Sequence, residues 1–106
     1  MIDTLSKTKS LMTSKIYKRR FVAEYWQTKI RYEKLKTFNN KIELWEDYNV
    51  GEAPAHDCPL SLLKEQQQVM GFYLSILEKR AIIEDIDLYD SKYENEETTI
   101  GGESNE

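Results

Sequence analysis

The chain has 106 residues, 40% of them hydrophobic and 32% charged, with a mean hydropathy of −0.69. That supports one domain with a thin core, and no stretch approaches the roughly 20 apolar residues of a membrane span. The net charge of −4 hides a segregation: Lys7 to Lys36 holds ten basic residues against two acidic ones, whereas Glu84 to Glu106 holds nine acidic residues against Lys92 alone. An anionic partner is therefore expected on the first half of the chain. A single cysteine, Cys58, excludes an intramolecular disulfide framework. The first residues lack the apolar core of a signal peptide, so a cytoplasmic protein is expected.

Residues 1–12 form a polar extension with scattered Leu5, Leu11 and Met12, predicted as a short helix or a loose segment. Thr13 or Ser14 then offers a hydroxyl to cap a long helix, and neither Gly nor Pro interrupts the chain from there to about Tyr48. Phe21, Tyr25, Thr28, Tyr32, Leu35, Phe38, Ile42 and Trp45 recur at spacings of three and four, which predicts an amphipathic helix. Residues 49–58 break it: Gly51 suits the left-handed conformation that ends a helix, and Pro54 prevents resumption. A second helix is predicted from Pro59 to about Ile83, with a stripe of Leu63, Gln66, Met70, Tyr73, Leu77 and Arg80.

The short connection returns the chain antiparallel, so the expectation is an all-α, two-helix hairpin over residues 13–83. Such a thin core gains stability by oligomerising, and Trp26, beside the stripe, is expected in a subunit contact. Residues 84–106 form an acidic, largely disordered tail, in which Ile86, Leu88, Tyr89 and Tyr93 are able to dock on a neighbouring surface.

Catalytic chemistry finds little footing. His56 and Cys58 lie in the break, but no orienting third group, second metal-ligand cluster or glycine-rich phosphate loop accompanies them. Neither an enzyme, a metal nor a cofactor is expected. What the first helix does offer is cations interleaved with rings: Tyr17, Arg20, Tyr25, Trp26, Tyr32, Lys34 and Lys36. Bases stack on rings and phosphates accept hydrogen bonds from Lys and Arg, so the combination suits nucleotides. Arg80 stands on an apolar stripe and needs a carboxylate, a ligand or an exit to water.

The pattern Tyr17-x-x-Arg20-Phe21-Val22-x-Glu24 with Lys34-Leu35-Lys36-x-Phe38 is joined by Leu62-Leu63-x-x-Gln66-x-x-x-Met70-x-x-Tyr73-x-x-x-Leu77-x-x-Arg80. Together they resemble the helical hairpin shared by the second family of phage anti-CBASS proteins and the first family of Thoeris anti-defence proteins. The resemblance implies a phage-encoded sponge acting in the cytoplasm of the infected bacterium. It would hold cyclic di- or trinucleotides, or cyclic ADP-ribose isomers, without cleaving them. It also implies a homo-oligomer, commonly a hexamer, with pockets between protomers. Carried over residue by residue, the messenger pocket takes Tyr17, Lys34 or Lys36, and Thr37, and a second pocket for cyclic trinucleotides takes Arg80. Arg20, one of the cations interleaved with rings on the first helix, joins the candidate ligand residues. Thr28 and Tyr32 depart from the aliphatic residues expected at their positions, and Glu84-Asp85-Ile86 stands where relatives often place Gly after Glu. Two other readings use the same residues: a coiled-coil adaptor whose stripes serve only assembly, and a basic-helix binder of long nucleic acid, the latter less favoured.

Overall fold

A computed structural model describes residues 2–98, with side chains described as far as Glu94. The expectation for residues 99–106 lies outside the described residues. All regular structure described is helical: a 3-10 turn over Leu5–Thr8 leads into the short helix α1 (Lys9–Met12), then α2 (Tyr17–Tyr48), α3 (Leu60–Ile83) and a 3-10 segment over Ser91–Thr98. Among the described residues no helix is long and apolar enough to cross a membrane.

The long helix α2 starts later than the capping hydroxyls suggest. The Thr13 hydroxyl turns back to donate to the Lys9 carbonyl, and Ser14 Oγ accepts from the Ile16 amide at 3.1 Å. Both hydroxyls thus serve the turn between α1 and α2, and Ile16 becomes the N-cap with no side-chain cap. At the other end, Asn49 rather than Gly51 terminates the helix: its φ of 56° is left-handed, and its amide bonds the Trp45 carbonyl. Asn is the non-glycine residue best suited to that conformation.

Cross-helix partners run in reverse order along the chain: Tyr17 with Glu84, Tyr25 with Glu78, Asn39 with Gln67, and Glu43 with Lys64. α3 therefore lies antiparallel to α2. Its buried face is Leu74, Leu77 and Ala81, one position round from the stripe expected, so Gln66, Tyr73 and Arg80 stand on the exposed edge. Asn39 is buried between the helices and donates to the Leu63 carbonyl and to Gln67 Oε1. Gly71 permits a close approach: a Cβ there would lie 3.3 Å from the Tyr32 ring.

On its other side α2 is covered by both ends of the described chain. Ile2 and Leu11 from the N-terminal segment, and Ile86, Leu88 and Tyr93 after α3, are buried in one cluster with Val22, Trp26 and Ile30. Trp26, expected at a subunit contact, is an intrachain core residue, its indole meeting the Tyr25 ring edge-on at 5.2 Å and the Tyr89 ring edge-on at 5.4 Å. Ile86, Leu88 and Tyr93 dock as expected, on α2 of their own chain, which carries a second apolar face that α3 leaves uncovered.

Candidate functional site

Tyr17 opens α2, and Arg80 and Glu84 close α3, so the antiparallel pairing brings all three together. The Tyr17 hydroxyl donates to Glu84 Oε1 at 2.7 Å, Arg80 Nη2 donates to the Tyr17 oxygen at 2.8 Å, and Arg80 Nε donates to Glu84 Oε2 at 3.1 Å. The guanidinium lies 5.0 Å from the centre of the Phe21 ring, which supports its apolar stem and its charge. Lys18 Nζ donates to the Asp85 carbonyl at 3.3 Å, adding a second cation beside the cluster.

Electrostatics follow from this geometry. The hydrogen bond from Tyr17, joined by that from Arg80, holds the Glu84 carboxyl below its ordinary range. The same bond to Glu84 raises the Tyr17 phenol, and the Glu84 carboxylate raises Arg80 further. At pH 7 the cluster is a phenol, a guanidinium and a carboxylate, all at the surface. The phenol and guanidinium are hydrogen-bond donors of the kind that pair with carboxylates and phosphates, and here a carboxylate takes them.

A second candidate region lies further along α2. Lys34 and Thr37 line an open groove of about 380 Å³ with Glu33, Phe38, Lys41 and Pro54. Lys34 and Lys41 have no ion-pair partner among the described residues. Lys36, also exposed, stands two residues from Lys34 and so on the far side of the helix, away from this groove. Arg20 is occupied locally, its Nη1 donating to the Ser14 carbonyl at 2.7 Å.

Tyr17 and Lys34 are seventeen residues apart on one continuous helix, about 26 Å along its axis. One small ligand therefore cannot touch both within a single chain. Conversely Tyr17 and Arg80, which the resemblance assigns to different pockets, are hydrogen-bonded neighbours. Glu84 was not a candidate, although its place four residues after Arg80 on a helix was a legible sign of pairing. Of the rings proposed for base stacking, Tyr25 and Trp26 are buried, whereas Tyr17 is 47% exposed. In the interhelical loop, His56 Nδ1 lies 2.8 Å from the Pro54 carbonyl and its ring meets Phe38 edge-on. Among the described residues no group of three or more His, Cys, Asp or Glu is placed to hold a metal ion.

The outward face of α3 carries an apolar stripe. Leu62, Val69, Ile76 and Ile83 recur every seven residues and are all more than half exposed, with Phe72 beside them. This apolar stripe lies on the side of α3 away from its buried residues Leu74, Leu77 and Ala81.

The fold and site thus define an all-helical protein with a polar cluster where α2 begins and α3 ends. The chain belongs to the Sequestin family, whose family model matches residues 15–83. This agrees with the resemblance read from the helical pattern. No curated protein and no solved structure matches the chain.

Proposed function

We propose that this protein is a non-enzymatic sponge that sequesters cyclic oligonucleotide, or cyclic ADP-ribose-type, messengers of bacterial immunity. Membership of a family named for sequestration supports the reading. The observation that carries it is the exposed Tyr17–Arg80 pair, a phenol and a guanidinium fixed together at the surface beside Lys18. Burying a phosphate requires donors to replace its hydration, and a preformed pair offers them at little ordering cost.

In this reading the antiparallel hairpin assembles into a homo-oligomer, a hexamer as in the resemblance, through the outward face of α3. Lys34 and Thr37 of one copy then meet Tyr17 of another, which overcomes the spacing of about 26 Å along α2. Symmetry suits the ligand, because a two-fold contact presents the same residues to both halves of a cyclic dinucleotide. The protein acts in the cytoplasm of an infected bacterium, by mass action: it must be abundant and bind more tightly than the effector.

The test is incubation with a panel of cyclic di- and trinucleotides and cyclic ADP-ribose isomers, followed by removal of free ligand, heat denaturation and chromatography. Intact nucleotide released from the denatured protein is the expected result. Failure to retain any of the panel, or release of linear products, sinks the proposal. Duplex DNA serves as a comparison: a salt-dependent affinity for it that exceeds that for every cyclic ligand would favour the nucleic-acid binder instead.

A further inference from the structure

Glu84 occupies the position that an anionic ligand of Tyr17 and Arg80 would need. Both of its carboxylate oxygens are engaged, Oε1 by the Tyr17 hydroxyl and Oε2 by Arg80 Nε. These are the donors that a phosphate oxygen would draw on, and a carboxylate and a phosphate diester compete for them on the same chemical terms.

The backbone explains why Glu84 is held there. Asp85 adopts a left-handed φ of 58°, its amide bonds the Ile82 carbonyl, and the Ile86 amide bonds the Ala81 carbonyl at 2.8 Å. That double bond pattern ends α3 in a closed turn, and burial of Ile86 anchors it. Glu84, the residue before the turn, is thereby fixed in its main chain, and its side chain is held by Tyr17 and Arg80. The α3 C-terminus alone disfavours a carboxylate, since it carries the negative end of the helix dipole. The adjoining start of α2, with Tyr17 and Lys18, and the guanidinium of Arg80 offset that cost. The Arg80 and Glu84 side chains are 47% and 30% exposed, so water screens their attraction.

We infer that Glu84 is a built-in competitor, a carboxylate that keeps Tyr17 and Arg80 poised and that a phosphate group of the ligand must displace. The inference rests on the reading of Tyr17 and Arg80 as an anion site. It makes Glu84 the residue that sets the threshold of affinity: weakly anionic metabolites fail to dislodge it, whereas a ligand with several phosphates does so.

The experiment is calorimetric titration of the full chain and its Glu84→Gln variant with cyclic diadenylate, cyclic triadenylate and cyclic ADP-ribose. Glu84→Asp, which keeps the charge but shortens its reach, is titrated alongside. Removing the competing charge should tighten binding by about three- to tenfold, with Asp intermediate. Binding by the variants where the unmodified chain shows none supports the inference more strongly still. Equal or weaker binding by both variants, against measurable binding by the unmodified chain, overturns it and leaves Glu84 a positioning residue. No binding of any ligand by any of the three proteins overturns the anion site itself, and the competitor with it. Should Glu84→Gln fail to fold, the Asp variant decides alone.

Discussion

The indole Nε1 of Trp26 donates to the backbone carbonyl of Leu88 across 2.8 Å, in a buried contact between residues 62 positions apart. That bond ties the segment after α3 to the first third of α2, alongside burial of Ile86, Leu88 and Tyr93. Trp26→Phe keeps a ring but leaves the Leu88 carbonyl without its donor. The expected loss is about 1–3 kcal/mol of unfolding free energy, read from urea denaturation. A variant as stable as the parent would show that the segment contributes no cohesion.

Charge on the outward stripe of α3 should prevent assembly without unfolding the chain. Val69 and Ile76 are exposed at 60% and 52%, so Val69→Lys with Ile76→Lys removes no buried contact within one copy. Light scattering should give a mass near the chain's 12.6 kDa, with an unchanged helical circular dichroism spectrum. An oligomer that persists would place the subunit contact elsewhere.

Because Tyr17 and Lys34 are too far apart on α2 to share a ligand, a pocket containing both must draw them from different copies. Tyr17→Ala and Lys34→Ala should each weaken retention of the cyclic ligand. Co-expression of the two variants should then restore part of it, since some mixed pockets contain both native residues. Retention by mixtures that never exceeds that of the separate variants would assign the two residues to independent sites or to none.

Acid should weaken the end of the helix pair through Glu84. Its folded pKa lies below its ordinary value near 4.5 because Tyr17 and Arg80 stabilise the charged form. Its contribution to stability is therefore complete above that ordinary value and is lost as pH falls through the lower, folded one. The melting temperature of the native chain should drop over this interval more steeply than that of Glu84→Gln. Superimposable profiles would show that the carboxylate gains nothing from folding.

Alkali acts through Tyr25. Burial, reinforced by its hydrogen bond to Glu78, raises this phenol well above the ordinary value near 10. The stability it contributes is present below pH 10 and declines as pH rises toward the folded pKa. Tyr25→Phe should be about 1 kcal/mol less stable at neutral pH, and the gap should close above pH 10. Phenolate absorbance at 295 nm offers a direct check, since a Tyr25 that ionises with the exposed tyrosines would contradict its burial.

Helical periodicity, the absence of Gly and Pro from residues 13–48, and the breaking loop were enough to determine two long helices and the segregation of charge between the two ends of the chain. The sequence also left Arg80 three outlets, a carboxylate, a ligand or water, without choosing among them. Only the tertiary structure decided that its partner is Glu84, that Tyr17 joins them, and that Trp26 is covered by the chain's own ends. The reason is physical: spacing determines which side chains share a face of a helix, but a face carries no record of which distant segment will cover it. α2 has two apolar faces, and their coverings are set by packing, hydrogen-bond satisfaction and the turn after Glu84, each a relation between residues remote in sequence.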